Sequence, residues 1–246
     1  MTGAEIAIAL AAITGGALVK SISGLGLPIV AIPVMALFIS LEEAVVIMAI
    51  PSLVSNVIMA FRARAARNAT VDIPILAATG LCAAIAGSAL LIWLPEEPLL
   101  IALALAVFAY VGVTLLHADL HISDTSRSWL SPTVGVAGGL MHGATGISGP
   151  IYGTYVHALR LPQEAYILSV TSLFAIAGIG QLLVLSSTGQ FTTGLFLVGL
   201  AAIVPVIALI PLGARVRDRM SGERFNRLVL VVLTAAATTI VVRLVF

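Results

Sequence analysis

Ten apolar runs follow one another along almost the whole chain, at roughly residues 4–20, 26–39, 43–61, 71–93, 98–117, 130–145, 149–159, 163–185, 191–213 and 225–245. In lipid, every backbone N–H and C=O must be satisfied internally, so these runs read as helices. With 60% hydrophobic and 9% charged residues, against about a quarter charged in soluble domains, the expectation is an all-α polytopic membrane protein of about eight to ten helical segments. One span takes about 20 apolar residues. A chain of 246 residues therefore holds about ten at most, with no room for a soluble domain.

Several function classes fall away. Twelve Lys and Arg against eleven Asp and Glu, a net charge of +1, form no concentrated basic face of the kind nucleic-acid binding needs. Cys82, the one cysteine, allows neither an internal disulfide nor a cysteine-ligated metal, and is expected in helix packing. Met1 to Glu5 lack the basic region of a cleavable signal, so the first segment is expected to be retained. The chain has no phosphate-binding loop, no His-Glu-x-x-His and no Asp pair inside a run, which argues against ATP-driven transport and intramembrane catalysis. No enzyme activity, cofactor or metal is expected.

The two halves correspond. The stretch from Gly16 to Ile29, G-A-L-V-K-S-I-S-G-L-G-L-P-I, lies on G-G-L-M-H-G-A-T-G-I-S-G-P-I from Gly138 to Ile151. Gly16 then meets Gly138, Lys20 meets His142, Gly24 meets Gly146 and Pro28 meets Pro150. Further on, S-L-E-E-A from Ser40 answers L-P-Q-E-A from Leu161, and Gly87 answers Gly213. An internal duplication follows, with residues 1–117 as the first repeat, 118–129 as a cytoplasmic linker and 130–246 as the second repeat.

Loop charge sets how the copies lie, because short Lys/Arg-rich loops stay in the cytoplasm. F-R-A-R-A-A-R-N from Phe61 carries three arginines, and its counterpart S-S-T-G-Q from Ser186 carries none. L-P-E-E-P from Leu94 is acidic, and its counterpart from Ala214 carries four arginines. The repeats are therefore expected in inverted topology, with loops 62–68, 118–129, 160–162 and 214–224 inside and both termini periplasmic. Trp93 and Trp129 sit at run ends, where aromatic belt residues belong.

Runs 26–39 and 149–159 reach only about 21 Å and 16 Å at 1.5 Å per residue, short of the hydrocarbon core. Each repeat is then a broken or re-entrant helix pair plus three spanning helices. A re-entrant hairpin and two short tilted spans both remain open. Short, Gly/Pro-interrupted segments in corresponding positions are the best sequence pointer to a transporter binding site.

Lys20, the only lysine, stands at such a break. An ionisable group at membrane depth is costly and marks a functional site by default; snorkelling of its stem to an interface is the alternative. Its counterpart, His142, cannot snorkel far. Around these bases lie Ser21, Ser23, Gly24 and Gly26 in the first copy, and Thr145, Gly146, Ser148 and Gly149 in the second. Pro28 and Pro150 suit the first turn of a following half-helix, whose free N–H groups and dipole favour an anion. Two inverted copies would aim two helix starts at one central anion site, though small residues serve helix packing equally. Asn56 and Gln181, with Ser52, Ser55, Thr171 and Ser172, could line it; interhelical hydrogen bonding alone is an equal alternative. Tyr152 and Tyr155 could add hydroxyls. His142 and His157 are the candidates for proton coupling. His117 and His121 in the polar linker are expected to be solvated rather than metal ligands.

The stretch from Gly24, G-L-G-L-P-I-V-A-I-P, the following S-L-E-E-A, R-N-A-T-V-D-I after the third run, and G-G-L-M-H-G-A-T-G-I-S-G-P from Gly138 resemble the two repeats of the sulfite exporter TauE/SafE family. The resemblance covers nearly the whole chain. It implies a bacterial inner-membrane permease for sulfite or organosulfonates, with the lipid bilayer and a small anionic substrate as partners. Members typically carry G-x-G-G-G in the first repeat. Here Leu27 and Pro28 replace two of those glycines, which reshapes the pocket. The expected function is a secondary transporter working by alternating access, the anion held at the paired breaks with Lys20. A passive anion channel on the same scaffold, or a permease for a carboxylate, is the alternative. A homodimer, the direction of transport and the coupling ion are left open by the sequence.

Overall fold

The computed structural model describes residues 1–23, 26–116, 122–217 and 222–245. Every regular element among them is helical: α1 (Gly3–Ser23), α2 (Leu27–Met35), α3 (Leu41–Arg62), a short 3-10 turn (Arg64–Ala69), α4 (Ile73–Trp93), α5 (Glu96–Leu116), α6 (Asp124–Thr145), a π turn (Gly149–Gly153), α7 (Thr154–Ala158), α8 (Gln163–Ser187), α9 (Thr193–Arg217) and α10 (Gly222–Val245). Among the described residues, five segments are long and apolar enough to cross a membrane: Gly3–Ser21, Leu41–Arg62, Ile73–Trp93, Glu96–Leu116 and Gln163–Ser187. The protein is a polytopic helical membrane protein.

The broken pairs are unequal. At 1.5 Å per residue α1 and α6 reach about 31 Å and 33 Å, whereas α2 reaches about 13 Å. Each pair is thus one full-length helix followed by a short half-helix. α6 also starts before its apolar run, at Asp124, with Ser123 as cap: the Ser123 hydroxyl accepts from the Ser126 amide at 3.3 Å. Such a cap satisfies one of the N–H groups a helix start leaves free.

The strongest helix contacts fall in pairs when the two halves are exchanged, although α6 also packs on α8 with no comparable contact between α1 and α3. α4 packs on α6 and α9 on α1; α8 packs on α4 and α3 on α9; α3 meets α8, and α5 meets α10. The paired glycines do the same work in both halves. A Cβ at Gly16 would fall 2.5 Å from the Leu27 carbonyl oxygen, and one at Gly138 2.5 Å from the Tyr152 ring. In each case the glycine lets the broken segment lie directly on the helix before it.

The closest helix contact joins α4 to α6. Gly135, Gly139 and Gly143 recur every fourth residue on α6 and face Thr79, Gly80 and Ala84 on α4. Small residues at this spacing let two backbones meet, which is how helices gain packing energy where lipid offers no hydrophobic drive. Cys82 lies on the other side of α4 and is exposed. The expectation that it packs in the core is therefore corrected: its position, two residues from Gly80, turns it about 200° away from the α6 contact.

Residues near opposite chain breaks gather at two ends. At one, Asp72 accepts from Ser131 at 2.8 Å and Tyr155 at 3.1 Å and pairs with Arg127 at 3.0 Å. At the other, the Leu41 amide donates to Glu96 at 2.6 Å beside the Ser40–Glu43 capping box. Glu5, Glu43, Glu96 and Ile240 border a cavity of about 500 Å³ there. Trp93 and Trp129 are 80% and 61% exposed, on the outside of the bundle as belt residues are.

Candidate functional site

Both breaks are built from glycine followed by proline. Gly26 (φ +119°) precedes α2, with Pro28 in its first turn. Gly146 (φ +72°) ends α6, its amide donating to the His142 carbonyl at 2.7 Å. These left-handed conformations come at no cost to glycine, and a positive φ after a helix is its usual stop. Pro150 then opens the π turn. A Cβ at Gly26 would meet a Val19 methyl at 2.8 Å and one at Gly146 the tip of Ile32 at 2.4 Å; both are side-chain atoms that can shift, so the positive φ is what calls for glycine.

The two breaks converge on one cavity. Gly26, Pro28 and Ile29 line it from the first, and Gly146, Ile147, Ser148 and Gly149 from the second. His142, Tyr110 of α5 and Phe174 of α8 complete the wall. The free space is about 20 Å³, room for roughly one water. Its lining is mostly apolar; among the side chains on it, His142 Nδ1 and Ser148 Oγ are 2.9 Å apart. His142 is 3% exposed, and its ring stacks on Phe174 with centroids 6.3 Å apart.

Lys20 lies within electrostatic reach of His142 and is 2% exposed. This settles snorkelling against it: the amine stays inside the bundle. Its Nζ donates to Ser55 Oγ at 3.0 Å and to Asn56 Oδ1. The Asn56 amide donates in turn to Ser52 Oγ at 3.4 Å, and the Ser55 hydroxyl to the Ser52 carbonyl at 2.8 Å. α3 thus supplies a polar cradle one turn long for the amine of α1.

Gly26, His142, Gly146, Ser148 and Gly149 therefore meet at the cavity, with Lys20 and Asn56 in an adjoining cluster. The other named residues are engaged elsewhere. Ser21 donates back to the Leu18 carbonyl at 2.7 Å. Thr145 donates to the Met141 carbonyl at 2.9 Å and accepts from the Ile147 amide at 3.3 Å, holding the second break. Gln181 donates to the carbonyls of His142 and Gly143 at 2.8 and 3.1 Å, in the last turn of α6. The Tyr152 hydroxyl donates to the Gly135 carbonyl at 3.1 Å in the α4–α6 packing. His157 is exposed, its ring edge-on to Tyr166. Gly24, His117, His121 and the Ser23 side chain lie outside the described residues.

Three features were missed in the sequence. Tyr110 and Phe174 lie in uniformly apolar helices, and nothing local marks them. The Asp72 cluster joins residues 59 and 83 positions apart, although the left-handed φ of Asp72 fits its place in T-V-D-I just before a helix with proline in its first turn.

A family model described as Sulfite exporter TauE/SafE matches residues 8–240. No curated protein and no solved structure matches the chain. With nearly its whole length covered, the chain belongs to the TauE/SafE family of membrane transporters.

Proposed function

We propose that this family member is a secondary transporter for a small sulfur oxyanion or organosulfonate, held between the two Gly-Pro breaks. The observation that carries the reading is their convergence on one small cavity beside two buried bases, His142 and Lys20. An oxyanion there has helix starts from both halves to accept from, and one donor of the His142–Ser148 pair, the imidazole N–H or the hydroxyl according to the tautomer. Lys20 supplies charge, and Asn56 orients it. Gly24, Ser21 and Ser23 follow Lys20 on the first break, while Thr145, Tyr152 and Gln181 brace the second. Of the two imidazoles considered for coupling, His142 faces the anion and His157 does not.

In this reading the repeats are inverted copies of one fold that rock against each other around the site, opening it to either side in turn. The pairing of the strongest helix contacts supports that arrangement. The loop charges support placement in a bacterial inner membrane with both termini periplasmic. Counterflow in proteoliposomes tests it. Vesicles preloaded with sulfoacetate are predicted to accumulate labelled sulfoacetate transiently, and saturably with concentration. Linear, ohmic anion flux without counterflow would establish a channel instead.

A further inference from the structure

We infer that Lys20 is the proton carrier of the transport cycle: the anion and one proton enter the site together, the proton resting on the Lys20 amine. The inference deepens the anion-site reading and rests on it. The hydrogen-bond inventory around Nζ carries the argument. Two acceptors meet the amine, Ser55 Oγ at 3.0 Å and Asn56 Oδ1. Both are neutral, and both are fixed as acceptors, because the Ser55 hydroxyl and the Asn56 amide donate their own hydrogens to Ser52. A neutral amine has two N–H donors and one lone pair; an ammonium has three donors. The cradle therefore matches the neutral form of Lys20 and leaves one position over for a proton or an anion.

Among the described residues no opposite charge is at hand to keep the ammonium in an empty site. α2, and α9 through Leu209, pack on α1 and contain no titratable residue. α3 offers Ser52, Ser55 and Asn56, and α6 offers His142. Among the described residues no carboxylate pairs with Lys20. A lone charge in such surroundings costs several kcal/mol. The molecule can remove that cost by leaving the amine unprotonated or by pairing the ammonium with an anion. The first suits the empty site, the second the loaded one.

The step balances simply. The Nζ lone pair takes a proton from water, the third N–H so formed is donated to the anion, and no bond in the substrate is made or broken. Release reverses it, returning anion and proton to the other side. Because binding of one promotes binding of the other, the linkage is reciprocal. His142 needs no such change, since a neutral imidazole already presents one N–H and one acceptor nitrogen, with Nδ1 engaged by Ser148.

Titration calorimetry of the detergent-purified wild type with sulfoacetate, repeated in buffers of different ionisation enthalpy, counts the protons taken up per bound anion. Sulfoacetate is fully ionised near neutrality, so the uptake belongs to the protein. The expected result is about one proton per anion, with affinity falling about tenfold per pH unit on the alkaline side. Lys20→Gln is expected to abolish the uptake, and His142→Gln to retain it per anion bound. Wild-type vesicles with a trapped pH dye should acidify inside when sulfoacetate enters, and Lys20→Gln vesicles should not. Saturable binding with heats independent of buffer would overturn the coupling and leave the anion site standing. Absence of binding by sulfoacetate and sulfite alike would overturn both. If Lys20→Gln does not fold, the wild-type proton count decides alone.

Discussion

Gly143→Ala tests the close approach of α6 to α4. A Cβ at Gly143 would lie 2.2 Å from the Ala84 carbonyl oxygen, 2.5 Å from the Ser88 amide nitrogen and 2.8 Å from the Gly87 carbonyl carbon. All three are backbone atoms of α4, so no side-chain rotation can make room. Widening 2.2 Å to an ordinary 3.4 Å contact demands about 1.2 Å of movement between α4 and α6. That movement also loosens the neighbouring approach of Gly139 to Gly80, where a Cβ would stand 2.1 Å from the carbonyl oxygen. Overpacking costs about 1–3 kcal/mol, and a site walled by backbone belongs at the upper end. Gly112→Ala is the control, because nothing lies within 4 Å of its Cβ position. In that open helix position alanine is favoured over glycine by up to about 1 kcal/mol. Thermal denaturation in detergent should show Gly143→Ala melting several degrees below wild type and Gly112→Ala at or above it. A Gly143→Ala protein that melts with wild type would refute the close approach.

Three further outcomes follow. Asn56→Leu leaves the Lys20 amine with one acceptor fewer and should cost about 1–3 kcal/mol, together with a loss of anion affinity read by melting shifts. Asp72→Asn breaks the pair with Arg127 at 3.0 Å; that pair is partly exposed, so the loss should be near 1 kcal/mol or below and should shrink further at high salt, as chemical denaturation in two salt concentrations would reveal. Cys82→Ala, on the exposed side of α4, should leave the melting temperature within the change expected of a surface substitution, about 0.5 kcal/mol; a larger drop would place Cys82 in the packing after all.

Helix number, short broken segments and family were legible because each rests on local signals: run length, the Gly-Pro punctuation at Gly26 to Pro28 and Gly146 to Pro150, and the absence of charge. Lys20 was legible as a lone cation in an apolar run. Its partners were not, since Ser55 and Asn56 lie 35 and 36 residues away and resemble any serine and asparagine in a membrane helix. The same holds for Gln181, for which the sequence leaves cavity lining and interhelical hydrogen bonding equally open and which serves the end of α6 from across the bundle. The spacing of Gly135, Gly139 and Gly143 was visible, but which helix it meets depends on how the bundle assembles. Cys82 failed for a related reason: an all-apolar helix has no sequence contrast between its lipid-facing and packed sides.

The central claim is that the paired breaks form an anion site electrically completed by Lys20. It is tested most directly by thermal stabilisation of the purified protein against sulfite, sulfate, sulfoacetate and taurine, on wild type and on Lys20→Gln. A ligand that binds only the folded state raises the melting temperature, by about 2.7 kcal/mol of stability at a hundredfold excess over its dissociation constant. The account predicts stabilisation of wild type by a sulfur oxyanion or sulfonate, lost in Lys20→Gln. Equal stabilisation of both proteins, or of neither, would contradict it.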